Sequence, residues 1–226
     1  MHIEPGVVDG AKMALAYGTA AASAGLGLKL MADDIKARNG VSFGLRAGLA
    51  TLATLVFFEV LPHFAVGISE VHFILGTTIL LLLGVGPTAF GLAAGLALQG
   101  LLFAPSDMPM YFVNVTTLLM PLFLIHALAK RVIPAGKAYV DLEYSEVLKL
   151  SAAYQGGVIA WVAFWALYGQ GAGAENLAAI TSFAAAYVLV VVLEPVVDLA
   201  VLALAKTMRR AEGSALVETR LYQAAV

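Results

Sequence analysis

The first two residues, Met1-His2, bring three nitrogens within reach of one small cation: the α-amine, the amide nitrogen of His2 once deprotonated, and a ring nitrogen of the His2 imidazole. A metal held by all three sits in fused chelate rings with a fourth position open to a distant ligand. Nitrogen donors lying nearly in a plane and completed by a second imidazole suit Ni(II) or Cu(II), and a related Co(II) site is compatible with the same donors. In isolation a Met-His start is equally an ordinary loose chain end. What decides between the two is whether the rest of the chain brings a second imidazole to it.

Three further histidines exist, His63, His72 and His126. His72 stands at the start of an apolar run, within Ser69-Glu70-Val71-His72-Phe73-Ile74-Leu75-Gly76, and is the candidate fourth ligand. Ser69 and His63, in the connection before it, are candidates for groups that surround the ligands. His126 lies far along a later run and reads as structural. Gln99 and Asn114 interrupt apolar runs, where a polar side chain needs a partner. They are candidates to hydrogen-bond a folded-in terminus or to orient His72 through its second ring nitrogen, as metal-binding histidines commonly require. Thr116 and Thr117 are equally well explained by helix-to-helix hydrogen bonds. Glu194 and Asp198 share a helix face on either side of Pro195, and a cation relay, a proton-exchange site and an anchor for a partner's basic residue all remain open for them.

The elements that must position these residues are set by composition. The chain of 226 residues is 61% hydrophobic and only 12% charged, with a mean hydropathy of +0.90, whereas about a quarter of a soluble domain is charged. These values predict an all-α, multi-pass integral membrane protein. Without cysteine there is no disulfide, no thiolate metal site and no cysteine nucleophile, so a metal must be held by nitrogen and oxygen. The net charge of −2 carries no nucleic-acid footprint. The start lacks a basic segment followed by a short apolar core and a small-residue cleavage site, which predicts a retained Met1.

Apolar runs near the 17 to 25 residues that cross a bilayer as helix fall at 11 to 31, 41 to 61, 71 to 84, 86 to 104, 110 to 129, 147 to 169 and 177 to 205. About seven transmembrane helices follow, the third short and forming a hairpin with the fourth across Gly84-Val85-Gly86-Pro87. Lys29, Lys36, Arg38, Arg46, Lys130, Arg131, Lys137, Lys149, Lys206, Arg209, Arg210 and Arg220 all fall at one face, and Lys12 alone at the other. Positive charge marks the cytoplasmic side, so the amino terminus is expected outside and inserted, and the carboxyl end inside. The outer connections carry His63, Glu70, Asp107 and Glu175, an acidic mouth that attracts cations. Residues 1–206 are expected to form one transmembrane domain and 207–226 a short cytoplasmic tail. Small residues recur four apart, at Ala16, Ala20 and Ala24 and at Gly91 and Gly95, and let helices approach closely. No phosphate-binding loop, paired-histidine protease box or nucleophile elbow occurs, so the chain reads as a non-enzyme with no ATPase of its own.

Met1-His2-Ile3 with Gly6, the segment Ser69 to Gly76, the run Leu98-Gln99-Gly100-Leu101-Leu102-Phe103-Ala104, and Asn114 together resemble the substrate-binding membrane components of cobalt and nickel energy-coupling factor transporters, the CbiM/NikM family. The resemblance is closest over the first 130 residues or so. It implies an inserted amino terminus with the metal held by Met1, His2 and His72. It implies Co2+, or Ni2+ next, as a transported substrate and no permanently bound cofactor. It also implies partners: a transmembrane coupling subunit, two cytosolic ATPase subunits and a small accessory membrane protein. The chain departs from the family pattern at Ser69-Glu70-Val71 and at Ser106-Asp107 and Tyr111-Phe112-Val113, which concerns the loops over the site and leaves His72 and Asn114 in place. From another class, a non-catalytic assembly subunit with incidental histidines and functional alanine stripes is the alternative. Nitrogen donors alone do not choose among cobalt, nickel and copper.

Overall fold

A computed structural model describes residues 2–208 and 211–224. Among these the chain is mostly helical: α1 Met13–Ala37, α2 Gly40–Leu55, α3 Gly76–Leu83, α4 Val85–Leu102, α5 Tyr111–Val132, α6 Tyr144–Gln170 and α7 Ala174–Thr207. Local chemistry sets several of the boundaries. Asn39 accepts the Ser42 amide at 2.8 Å and starts α2, and Glu143 with Glu146 forms a reciprocal cap at the head of α6, satisfying amides that no preceding turn can reach. Gly171, at φ 76°, ends α6.

Among the described residues, five stretches are long and apolar enough to cross a membrane: Gly40–Val60, Val85–Leu102, Pro105–Val132, Tyr144–Gln170 and Ala174–Thr207. α1 has the length, but its alanines, glycines and Lys29 make it less apolar. The expected run 71 to 84 differs most. Its helix is only eight residues, Gly76–Leu83, about 12 Å at 1.5 Å per residue, well short of a hydrocarbon core of about 30 Å. The reason lies just ahead of it. Leu75 takes a left-handed backbone, φ 53° and ψ 36°, which costs about 1–3 kcal/mol and persists only where surroundings enforce it. Here the Glu194 carboxylate of α7 accepts the Ile74 amide. Gly76 follows, where any Cβ would lie 2.3 Å from Tyr154 Cζ.

Two short strands depart from the all-helical expectation. β1 Phe64–Val66 and β2 Ser69–Val71 pair antiparallel, Phe64 with Val71 and Val66 with Ser69. Ile3 bridges to Ser69, so the chain's beginning lies along the free edge of β2. α2 runs into a π-helical turn, Val56–Val60, closed by the Leu61 amide on the Val56 carbonyl at 3.2 Å. Such turns insert a residue into the helical register and re-aim side chains. This one carries Phe58, which is fully buried.

Helix packing uses the small residues and internal hydrogen bonds expected in lipid. Gly91 and Gly95 of α4 lie against Ala50 and Thr54 of α2. Thr116 of α5 accepts the indole N–H groups of Trp161 and Trp165 of α6, at 3.0 and 3.2 Å. At the opposite end from β1 and β2, buried Arg46 joins Asp34 at 2.5 Å, Glu218 at 3.1 Å and the Leu83 carbonyl at 2.7 Å. The Glu218 amide in turn bonds the Leu82 carbonyl at 2.7 Å. The stretch after α7 is therefore packed on helix ends rather than trailing; Arg209 and Arg210 lie outside the described residues.

Candidate metal centre

The amino-terminal segment is held along its length. The His2 carbonyl accepts the Glu70 amide at 2.9 Å and the Ser69 hydroxyl at 3.0 Å. The Ile3 amide donates to Asn114 Oδ1 at 2.7 Å, and the Glu4 amide to the Ile68 carbonyl at 3.1 Å. Ile3, Val7 and Val8 are buried in the main core. Val7 passes so close to α6 that a Cβ on Gly169 would lie 1.9 Å from its carbonyl oxygen. Lys12 Nζ donates to the Gly169 carbonyl at 2.5 Å. Backbone pairing to β2 satisfies amides that would otherwise be buried without partners.

This docking brings two imidazoles together from 70 residues apart. The rings of His2 and His72 are 5.2 Å apart between centroids, both buried, and Phe58 lies against them at 5.5 and 4.2 Å. His2 Nδ1 is 2.8 Å from Glu70 Oε2, and His72 Nδ1 is 3.2 Å from the Phe73 carbonyl. A carboxylate and a carbonyl only accept, so each Nδ1 carries a proton. Ligand atoms of His2, Glu70 and His72 all lie within 4.8 Å of one another. Two imidazoles and a carboxylate form a donor set that suits a borderline divalent transition metal.

The electrostatics favour a cation. Burial holds the His2 imidazole below its ordinary pKa range, against the hydrogen bond and charge of Glu70 and the charge of Asp107, which act upward. Glu70 is lowered, chiefly by its hydrogen bond to His2. Glu4 is raised by burial, with Glu70 and Asp107 adding to it. A neutral imidazole acted on by the carboxylates of Glu70 and Asp107 presents a lone pair to a cation.

Among the other sequence candidates, Ser69 and Asn114 grip the residues that carry His2. His63 is exposed, its Nδ1 3.1 Å from the Leu61 carbonyl. Gln99 is buried in α4, and its Oε1 has no hydrogen-bond partner among the described residues. Met1 lies outside the described residues. Glu70 is the group that sequence reasoning left out of the site. Its signal was the spacing Glu70-x-His72, which puts both side chains on one face of an extended segment.

Comparison with curated proteins finds no significant match, and neither does comparison with solved structures. The family comparison does. Residues 2–212 match the model described as cobalt uptake substrate-specific transmembrane region, CbiM. That span begins at the buried His2 and takes in all five helices able to cross a membrane, so the chain belongs to the CbiM family of multi-pass membrane components of cobalt transport.

Proposed function

We propose that the protein captures a divalent transition metal, Co2+ with Ni2+ next, at an outward-facing site made by the Met1 amine, the amide and imidazole of His2, and His72. The one observation that carries this reading is the docking of the amino-terminal segment onto β2, which sets the His2 ring 5.2 Å from that of His72. The chelate uses the ring nitrogen nearer the backbone. Loading therefore requires the ring proton to move from His2 Nδ1 to Nε2, replaces the Nδ1 hydrogen bond to Glu70 by a bond to the metal, and leaves the carboxylate beside it to offset charge. A bare dication is costly to bury, and coordination offsets that cost.

Orientation rests on the distribution of Lys and Arg. The end that holds Arg46 and its partners is the cytoplasmic one, and the hairpin with the amino-terminal segment lies outside, in an arrangement of about seven crossings. The reading assigns metal selection to this chain alone. Energy for uptake comes from two cytosolic ATPases through a transmembrane coupling subunit, with a small accessory membrane protein as a further partner.

The test is cobalt titration of the purified full chain with its native start, beside His2→Ala, His72→Ala and a version extended by residues ahead of Met1. All three alterations are expected to abolish tight binding. Retained binding in the extended version and in His72→Ala ends the reading and favours an assembly subunit.

A further inference from the structure

Glu194 is fully buried in α7 and belongs to none of the candidate ligands, yet it holds the backbone that carries one of them. One of its oxygens accepts the amide of Ile74, two residues after His72. The other accepts the Gln155 side-chain amide of α6, and Gln155 Oε1 accepts the Tyr187 hydroxyl at 2.6 Å. One turn further along α7, Asp198 accepts the Thr78 hydroxyl at 2.5 Å. α7 thus grips the head of α3 at two heights.

That grip falls where the chain most needs one. α3 opens after a left-handed leucine, and Leu75 gives no side-chain cap to the first turn. The Ile74 amide lies one residue ahead of the N-cap, outside both the helix and the β2 ladder, and a buried amide left without a partner is costly where no water replaces it. With Glu194 in place the segment from Phe73 to Leu75 has one arrangement. Without it the left-handed turn relaxes and the His72 imidazole is carried off its alignment with His2.

We infer that Glu194 is a positioning residue for metal capture, fixing His72 from a different helix by holding the Ile74 amide. The inference rests on the capture reading above. Its mode of action is geometric: both oxygens are engaged by neutral donors, so an acceptor at that distance is required and a negative charge is not.

The two requirements separate in three variants of the full chain, each read by cobalt titration and by hydrogen exchange over residues 73–76. Glu194→Gln keeps an acceptor at full reach for the Ile74 amide and loses the charge, its NH2 being met by the Gln155 oxygen once that side-chain amide turns over and donates to the Tyr187 hydroxyl oxygen; it is expected to match the wild type in both readouts. Glu194→Asp keeps the charge but withdraws the acceptor by one methylene, and Glu194→Leu removes it. Both are expected to speed exchange over 73–76 and to weaken cobalt binding by about ten- to 100-fold, the usual effect of losing a group that orients a metal ligand. Loss in Glu194→Gln with retention in Glu194→Asp would assign the effect to charge and overturn the inference. So would wild-type exchange or affinity in Glu194→Leu. If Glu194→Leu does not fold, the Gln and Asp variants decide. His72→Ala, measured alongside, separates the two levels: wild-type affinity there sinks the capture reading, and exchange over 73–76 alone then decides whether Glu194 holds the segment.

Discussion

The backbone amide of Ile3 donates to the Asn114 side chain at 2.7 Å, so a helix that crosses the membrane holds the chain by its third residue. Asn114 is buried in an otherwise apolar stretch of α5, and this bond explains why a carboxamide is there. Together with the pairing of Ile3 and Glu4 to β2, it turns a chain end into a structural strand.

Asn114→Leu leaves the Ile3 amide buried without an acceptor, a penalty of about 1–3 kcal/mol. The expected outcome is faster hydrogen exchange over residues 2–4 and cobalt affinity lower by about tenfold or more, with the helices intact by circular dichroism. Wild-type affinity in this variant would show that the site does not depend on the α5 anchor.

Gly169→Ala forces a methyl into the space occupied by the Val7 carbonyl. Because both atoms are on or next to backbone, neither can step aside as a flexible side chain would. Proteolysis or hydrogen exchange should report a loosened segment over residues 2–9 and a matching fall in cobalt binding, while Gly156→Ala, whose added Cβ meets nothing within 4 Å, should be silent.

Glu70→Gln removes a carboxylate whose hydrogen bond and charge raise the His2 pKa against burial. The sign follows directly: without Glu70, burial prevails further and the imidazole pKa falls. Ring-proton NMR of the metal-free protein, titrated from pH 8 down to pH 4, should show the His2 transition displaced to lower pH. A transition moved upward would contradict the geometry.

Metal capture should weaken as pH falls, because chelation displaces protons. α-Amines ordinarily titrate near pH 7.7–8.0, and each proton that chelation releases makes affinity drop by about tenfold per pH unit. His2, already held below its ordinary range, adds its own competition only in more acidic medium. Calorimetric cobalt titrations between pH 5.5 and 8 measure the slope, and a flat profile would exclude the chelate.

Arg46→Leu tests the other end of the molecule. Deleting the guanidinium strands Asp34, Glu218 and the Leu83 carbonyl, and breaking a buried charge cluster in this way costs about 3–5 kcal/mol. A lowered melting temperature in detergent is expected, with cobalt affinity at the distant site preserved in the protein that stays folded.

How much of this was legible beforehand depends on what each residue type can betray alone. His2 and His72 announce themselves as nitrogen donors, and Asn114 as a polar group in an apolar run, so all three were readable by type. Glu70 was not. An apolar run from position 71 reads as helix, and in a helix residues two apart do not share a face. Only an extended segment aligns Glu70 with His72, and the extension is enforced by partners far away in sequence: Glu194 on the Ile74 amide, Tyr154 against Gly76, and the chain's first residues along β2. Short apolar runs do not distinguish strand from helix by periodicity, so β1 and β2 were absorbed into a loop and the run from 71 to 84 was taken for helix throughout. The five strongly apolar helices needed no such distant information.

The anchoring of residues 2–8 also fixes an order of events during synthesis. A ribosome releases the start of the chain first, but its resting place is supplied by positions 68–70, then 114, then 169. The opening residues therefore cannot reach their full resting place until the sixth helix has been made. A nascent polypeptide halted before Gly169 already owns both histidines but lacks the surface against which Val7 comes to rest.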